Sequence, residues 1–509
     1  MQSSTLASAC NPKASVNGFS RIGLPKLHTE AVIAMALSSN FNKPFGDPSN
    51  YPPAAGDEDI RALLHRTADE SAVFKHQFPP RFPISGRTYF GGLPTAPADF
   101  RWPRAPDGTP YSFMAQVDCA ELPDFQLRKF LPASGVLHFF VNWDVFDGLD
   151  EAQSWPNHVV LSRDTTEPCR EVRPPDDLPP CYGASNARFY FPWLEHTDRH
   201  DYPRAFARKA MTMGVVRTFA EEHPRELDGN SAGRYQQIWE EEQAAELARF
   251  YGDPVIADAL PGPKDDFAAR RTVQRPTTTF PAGWIDIEVF CGLFLKEVLE
   301  RGIKQIERGK DAAGQPWPVD PAAVRAAYEN ALTTANGWIE RSRSAGLTSP
   351  VPEADRMAFW SWLEEMNAAA VDPITDSRCA RVLNQLSWKT VRTGAHICLS
   401  ASEAASSLVP EEMMGELRME HSVLVAGKWP RRAGRHQMLG AGRDVQGAPR
   451  RHTLAAGDPL LSDVLLLQLD TDWAVPWMLA DCGVLQYWIS VSDLRAERFD
   501  RVRVTIEGH

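Results

Sequence analysis

The sequence predicts an α+β protein in which a duplicated β-rich domain, made of two pseudo-repeat halves, is interrupted by an all-α helical insertion. Two short patterns that each occur twice predict the duplication. Residues 113–118 read Phe-Met-Ala-Gln-Val-Asp and residues 465–470 read Leu-Leu-Leu-Gln-Leu-Asp. A second shared strand follows each copy, Gly-Val-Leu-His-Phe-Phe-Val at 135–141 and Gly-Val-Leu-Gln-Tyr-Trp-Ile at 483–489. Helical periodicity between the two copies predicts the insertion.

The length of 509 residues exceeds the size at which single cores stop growing, so we expect more than one structural unit. Residues 1–55 are rich in Ser, Asn, Pro and Gly and are expected to form a flexible arm. The first half of the duplicated domain is predicted at 56–199, the helical insertion at 200–425 and the second half at 426–509.

The first half is predicted to open with a short helix from Asp57 to Phe74. Asp57 can cap this helix, and Ile60, Leu63 and Leu64 give it one apolar stripe. Pro and aromatic residues then punctuate short extended runs from 80 to 195, a pattern typical of strands joined by turns.

Helical signals dominate the middle of the chain. Asp320-Pro321 places a cap before a proline at the first helical position, and Gly346 gives that helix an end. Apolar residues at three- and four-residue spacing predict the other helices, which are expected at 290–306, 354–366, 377–401 and 411–423. Residues 501–507 then alternate polar and apolar side chains, as a half-buried strand does.

Composition excludes several functional classes. The net charge of −12 argues against a protein that tracks nucleic-acid phosphates, and against a general attraction to anionic membranes. No run approaches the roughly 18 apolar residues of a membrane span, and no secretory signal is recognisable. The eight cysteines are scattered singly, as free thiols in a reducing compartment are. We therefore expect a cytoplasmic protein with no metal, no cofactor, no nucleic-acid partner and no membrane partner.

Two sets of motifs carry a family resemblance. Phe90-Gly91-Gly92-Leu93-Pro94, Arg101-Trp102-Pro103, Met114–Asp118 and Gly135-Val136-Leu137 resemble the first half of the YwqG-like family. The second half is similar at His436–Gly440, Gln446, Leu466–Asp470, Asp481-Cys482-Gly483 and Ser492-Asp493-Leu494. The resemblance implies a duplicated α+β domain of bacterial type, and some members of the family are associated with toxin–immunity loci. The helical insertion departs from the compact family pattern.

The repeated Gln-x-Asp motif supplies the first candidate site residues. Residues two apart in a strand share a face, so Gln116 and Asp118 point the same way, as do Gln468 and Asp470. If a pseudo-two-fold relates the halves, these four side chains could line a cleft and bind a small ligand. The alternative is structural: Asp118 fits a capping box with Glu121, and Asp470 fits the start of a turn.

A basic loop at 428–452 supplies the second set. It carries His436, Arg435 and Arg443 with further arginines and one acidic residue, Asp444. Such a loop could bind an anion or an acidic partner surface, because Arg offers planar bidentate donors. The alternative is a solvated basic loop. His138 is a weaker candidate, since its repeat mate is Gln486 and both fit a half-exposed strand face.

Common catalytic templates such as His-Glu-x-x-His and Gly-x-Ser-x-Gly are missing from the sequence. Catalytic residues are therefore unknown, and an enzyme is disfavoured without being excluded. We expect a non-catalytic protein-binding or regulatory module whose partner contacts the helical insertion or the basic loop, and the family resemblance implies an immunity-type role as one form of it. The alternative is an enzyme or small-ligand binder that uses a polar cleft between the repeats.

Overall fold

A computed structural model describes most of the chain between residues 56 and 508, and every structural statement below refers to the part that it describes. The described residues are 56–82, 86–143, 158–163, 168–181, 191–194, 202–221, 232–252, 255–256, 272–299, 321–369, 380–423, 425–426, 435–447 and 463–508. The predicted arm at 1–55 lies outside them.

Ten strands form one sheet, and four short strands form two small two-stranded pairings. In chain order the strands are β1 (Asp69–His76), β2 (Tyr89–Phe90), β3 (Thr95–Ala96), β4 (Ser112–Asp118), β5 (Val136–Val141), β6 (His158–Arg163), β7 (Arg170–Glu171), β8 (Lys209–Thr218), β9 (Val255–Ile256), β10 (Val425–Ala426), β11 (Gln437–Met438), β12 (Asp463–Asp470), β13 (Val484–Ser490) and β14 (Arg503–Glu507).

The order of the large sheet reveals a pseudo-two-fold between its halves. It runs β14-β13-β12-β11-β1-β8-β2-β4-β5-β6, and every neighbouring pair is antiparallel. The central pair β1 and β8 is flanked by β11 and β2, then by β12 and β4, then by β13 and β5. Each strand of one half thus has a mate in the other, which confirms the duplication.

The sheet curls so that its two halves share a core. Apolar side chains from β1, β2, β4 and β5 pack in one cluster with side chains from β12 and β13. Phe139 of β5 meets Tyr487 of β13 edge to face, with ring centroids 5.1 Å apart. The hydroxyl of Tyr487 donates to the carbonyl of Phe140. Strands buried on both sides need near-continuous apolar runs, which explains the Leu-Leu-Leu and Phe-Phe-Val segments.

Nine α-helices are described, most of them between β8 and β11. They are α1 (Asp57–Arg66), α2 (Ala232–Tyr251), α3 (Trp284–Phe294), α4 (Pro321–Ala345), α5 (Glu353–Ala369), α6 (Ala380–Ala401), α7 (Glu403–Ser406), α8 (Glu411–Glu420) and α9 (Val491–Arg495). None of the described helices is long and apolar enough to cross a membrane.

Helix α3 is the centre of the helical region. All of its residues are buried, and α4, α5, α6 and α8 contribute to the same apolar cluster. A helix that is apolar all round belongs in the middle of a bundle. Asp286 completes its first turn by accepting hydrogen bonds from the backbone N–H groups of Ala282 and Gly283.

The chain divides into two compact units. The smaller unit contains α1 and residues 219–243, where Ile60 and Leu64 pack with Phe219, Tyr235 and Ile238. The larger unit contains residues 69–218 and 244–509, and therefore holds the ten-stranded sheet and the helices from α3 onward.

Two sequence predictions need correction. The helix expected from Asp57 to Phe74 ends at Arg66, and residues 69–76 form the central strand β1. The apolar run through Phe74 imitates a helical stripe, but it is buried between β8 and β11. Strand β8 lies inside the segment predicted as helical insertion, so the sheet extends beyond the predicted boundary at 200.

Other elements agree with the prediction. Helix α4 begins at Pro321 and Gly346 follows its end with a φ of 89°. Helices α5, α6 and α8 also lie where apolar spacing predicts them. The expectation of free thiols is wrong at one position: Cys482 is disulfide-bonded. Among the described residues, Cys119, Cys181, Cys291 and Cys398 are free thiols.

Candidate functional site

The two repeated glutamines fasten the loop that precedes their strand. Gln116 is fully buried, its Nε2 donates to the carbonyl of Arg87, and its Oε1 accepts from the backbone N–H of Thr95. Gln468 is equally buried. Its Nε2 donates to the carbonyl of Arg435, and its Oε1 accepts from the backbone N–H of Arg443. We call each arrangement a glutamine clamp, because one side chain closes a loop of the same length in both halves.

The aspartates of the motif support the same loops. Asp118 caps the turn at Cys119–Glu121 by accepting from the N–H of Ala120, as predicted. Glu121 does not complete the predicted capping box, because its carboxylate accepts from the N–H groups of Arg87 and Thr88. Its other oxygen lies 3.2 Å from Nε of Arg87. Asp470 pairs with Nη1 of Arg443 at 2.8 Å and accepts from the N–H of Arg435. Both carboxylates thus hold an arginine of their own clamped loop.

These contacts differ from the predicted polar cleft between the repeats. Gln116, Asp118, Gln468 and Asp470 are all buried, and their polar groups bond to their own loops. The prediction for His138 is also wrong, because it and Gln486 are fully buried rather than half-exposed. Nε2 of each side chain bonds a carbonyl of the clamped loop. Burial lowers the pKa of His138 to about 4, so it is neutral.

His436 belongs to a buried cluster that the sequence did not reveal. It follows Arg435 into β11, has no exposed surface, and points its Nε2 at Oδ2 of Asp472 at 2.7 Å. His76, at the end of β1, points its own Nε2 at the same oxygen at 2.6 Å. Burial by itself raises the pKa of Asp472, but the charges and hydrogen bonds of His76 and His436 bring it well below its ordinary value. Asp472 is therefore an ionised carboxylate.

This His-Asp-His cluster has the residue types of a metal site, and its ligand atoms lie within 4.8 Å of one another. The hydrogen bonds favour a different state. The backbone N–H of Asp470 donates to Nδ1 of His436, so the proton of the neutral ring must be on Nε2. A metal-bound histidine usually donates its other N–H instead of accepting there. We therefore describe the cluster as a carboxylate held by two imidazole donors.

Asp472 also shapes the turn that follows it. Its Oδ1 accepts from the N–H of Ala474, and its backbone exchanges two hydrogen bonds with Trp477. The predicted turn role thus falls on Asp472, two residues after Asp470. The turn at 472–477 is fixed to both β1 and β11 through one carboxylate.

Comparison of the two halves separates structural from candidate functional groups. Strand pairing matches Tyr89 to Gln437, since these residues face the two clamp glutamines. In the same register, each ionisable residue of the cluster, and also Lys209 on β8, corresponds to a residue of the other half whose side chain is not ionisable. The mates are Thr88 for His436, Ala120 for Asp472, Met213 for His76 and Ala72 for Lys209. The clamps occur twice because the fold needs them twice, whereas His76, His436 and Asp472 belong to the half that contains β1 and β11, and Lys209 belongs to the half that contains β8 and β2.

A cavity of about 730 Å³ lies beside this cluster and is partly open to solvent. Its walls come from the start of β8, the turn after Asp472, and helices α3, α4 and α6. Thr393, His396, Ile397 and Ser400 line it from one face of α6, as their three- and four-residue spacing requires. Cavities of this size are typical of small-molecule sites.

Lys209 places an ammonium group on the cavity wall. The residue is buried, and its Nζ donates to Oγ of Ser400 at 2.6 Å. Within the described part of the chain no carboxylate lies at ion-pair distance from this nitrogen. Burial lowers the pKa of Lys209 to about 8, against the more distant negative charges of Asp472 and Glu420.

Two further histidines continue from His76 toward the helices. The ring of His421 lies 5.4 Å from that of His76 and 6.0 Å from that of His396. His396 in turn bonds the buried carboxylate of Glu420, which Arg392 also contacts. We call His436, His76, His421 and His396 the histidine row. Asp472 bonds the first two of these histidines, and Glu420 bonds the last.

The predicted basic loop is only partly described. Lys428, Arg431, Arg432, Arg450 and Arg451 lie outside the described residues. Arg435 and Arg443 are inside, and both serve a glutamine clamp rather than a solvated loop. Sequence reasoning missed Lys209, His76 and Asp472. The change from Ala120 to Asp472 between aligned copies could have identified the last of these.

We predict that Gln116→Ala lowers the free energy of unfolding by about 2–4 kcal/mol, because it leaves buried partners in the 87–95 loop without their hydrogen bonds. Urea denaturation measures the change. Gln126→Ala, at an exposed glutamine, is the matched control and should stay within about 0.5 kcal/mol. Equal effects of the two substitutions would contradict the clamp.

We also predict that Asp472→Asn destabilises the protein by about 3 kcal/mol or more, because two buried imidazole donors lose their shared anion. Asp481 is exposed, so Asp481→Asn should change the free energy of unfolding by less than about 0.5 kcal/mol. Chemical denaturation followed by tryptophan fluorescence compares both variants with the parent chain. A stability of Asp472→Asn equal to that of Asp481→Asn would mean that the carboxylate is not ionised in place.

Comparison with known proteins supports the duplicated architecture. A search of curated proteins finds no match. A family model described as a domain of unknown function (DUF1963) matches residues 88–255 and 341–507, which together make up more than half of the chain. These segments contain both clamp glutamines and most of the cavity wall. The chain belongs to the DUF1963 family.

Proposed function

We propose that the protein binds a small organic anion in the cavity beside the histidine row. The acidic group of the ligand lies at Lys209 and Ser400, and its apolar body lies against the surrounding walls. The observation that carries this proposal is the buried ammonium of Lys209, which borders a cavity and has no carboxylate of the described chain at ion-pair distance.

The electrostatics favour an anion at this position. A buried charge is ordinarily paired, because desolvation is costly without a partner. The other ionised groups on the cavity wall compensate each other: Nε of Arg343 lies 2.7 Å from Oε1 of Glu288. Among the described residues on this wall, Lys209 is therefore the cation whose charge a ligand carboxylate can neutralise.

The remaining walls suit an apolar body. Aromatic and aliphatic side chains from several segments line the cavity, among them Phe191, Trp193, Phe206, Leu347, Ile397 and Trp473. Trp473 and Trp193 are partly exposed, which leaves their ring surfaces accessible to a ligand. An apolar lining with a few polar groups at one end is the usual design of a small-molecule site.

The sequence-based hypotheses of a protein-binding or regulatory role stay predictions beside this proposal. They comprise a partner for the helical region or the 428–452 loop, the YwqG-like resemblance and an immunity-type role. A ligand-binding module is compatible with them, because binding in the cavity could change how the surrounding helices present themselves to a partner. The proposed ligand site differs from the cleft between the repeats that the sequence predicts, because the cavity lies between the sheet and the helices.

The experiment uses octanoate as the probe anion and 1-octanol as its neutral control. We predict that octanoate binds in isothermal titration calorimetry and that 1-octanol of equal chain length binds at least about tenfold more weakly. At a concentration 100 times its dissociation constant, octanoate should stabilise the fold by about 2.7 kcal/mol. Lys209→Met should weaken octanoate binding at least about tenfold and leave 1-octanol binding nearly unchanged.

The matched control is Lys129→Met, because Lys129 is exposed and far along the chain from the cavity lining. This variant should bind octanoate like the parent chain. Unchanged octanoate affinity in a folded Lys209→Met variant, or equal affinity for the acid and the alcohol, would overturn the proposal.

A further inference from the structure

The histidine row and Lys209 form a buried set of titratable groups next to the proposed anion site. We propose that anion binding at Lys209 is coupled to proton uptake by Lys209 and by His421 in the histidine row. This inference rests on the proposed function and states how that same site responds to pH.

His421 is the member of the row whose surroundings are most sensitive to the site. Its Nδ1 donates to the carbonyl of Leu417 at 2.7 Å, so a second proton would enter at Nε2. Titratable groups from three elements face it: His76 from β1, His396 from α6 and Lys209 from β8. The ring of Phe78 packs on it, with ring centroids 4.6 Å apart.

The charges around His421 keep it neutral while Lys209 has no anion. Burial, Lys209, His76 and His396 together hold the pKa of His421 well below its ordinary value. An anion at Lys209 offsets the positive charge of its ammonium group. An opposite charge nearby favours the protonated form of an imidazole or an amine. The sign is therefore proton uptake on binding.

A small cavity beside His76 is a second feature that supports the proposal, because it has room for a hydrogen-bond partner of the added proton. Nε2–H of His76 donates a hydrogen bond to Asp472, and Nδ1 of His76 is buried without a hydrogen-bond partner among the described residues. His76, Lys209, Ser400 and His421 line a small cavity of about 10 Å³. That volume is on the order of one water molecule, so a water there could connect these groups.

Lys209 and the histidines should respond in different pH ranges. The pKa of Lys209 is about 8, so near pH 8 about half of the side chain is neutral, and an anion can draw up to roughly half a proton onto it. Near pH 6.5 Lys209 is already protonated, and uptake must come from the row. The coupling also requires octanoate to bind more weakly as pH rises from 6.5 to 9.

The test is titration of octanoate into the whole protein at pH 8 and pH 6.5, in Tris, HEPES and other buffers of different ionisation enthalpy. The dependence of the observed heat on buffer enthalpy gives the number of protons taken up. We expect uptake at both pH values, and a dissociation constant that rises severalfold between pH 6.5 and 9. His421→Gln should reduce the uptake at pH 6.5, whereas His65→Gln, in the smaller compact unit, should leave it unchanged.

The outcomes separate the two proposals. If octanoate binds but its heat is the same in every buffer, the coupling is wrong and the anion site stands. If octanoate does not bind, both are wrong. If uptake persists unchanged in a folded His421→Gln variant, His421 does not receive the proton at pH 6.5 and its part in the coupling is wrong. Should that variant fail to fold, the pH dependence of the parent dissociation constant decides: a constant value overturns the coupling.

Discussion

The buried carboxylate of Asp472 is the interaction on which the arrangement of the candidate site depends. One of its oxygens accepts hydrogen bonds from His76 on β1 and from His436, which directly precedes β11, and the other shapes the turn that reaches Trp477. That turn contributes Trp473 and Pro476 to the cavity wall. Because the anion has no solvent to stabilise it, both imidazoles must stay in place while it is ionised. The positions of two strands, one turn and one cavity wall are therefore linked through a single charge.

The duplication explains why this cluster can exist without loss of the fold. Each half closes its loop with a buried glutamine, and these clamps leave few of their own polar groups unbonded. The clamps therefore do not depend on His436 or Asp472, whose mates are Thr88 and Ala120. The second half carries ionisable side chains at these places, whereas the first half does not.

Much of the architecture could be predicted from the sequence, because it depends on local patterns. The repeated strands, the start of α4 at Pro321 and the spacing within α6 follow from burial and capping rules that act over a few residues. The central strands β1 and β8 could not be recognised, because their pairing is non-local and their apolar runs also fit a helix. Because these two strands were not predicted, Lys209 and His76, which lie on them, were not identified as candidate residues.

The candidate site was harder to predict for a related reason. Gln116 and Gln468 attracted attention because they repeat, yet repetition marks what both halves need for folding. His436 was selected for its basic neighbours in sequence, whereas its chemistry comes from Asp472, 36 residues away, and from His76, which is 360 residues away. Only the folded sheet brings these three side chains together. The residues that the two copies share identify the glutamine clamps. The residues that differ between the copies identify the candidate site.

The central claim is that an anion occupies the cavity at Lys209, and a crystal structure of the protein with octanoate tests it most directly. The account predicts electron density for the carboxylate within hydrogen-bond distance of Nζ of Lys209, with the alkyl chain along the wall that includes Ile397 and Trp473. Density for octanoate elsewhere, with Lys209 still bonded only to Ser400, would contradict it.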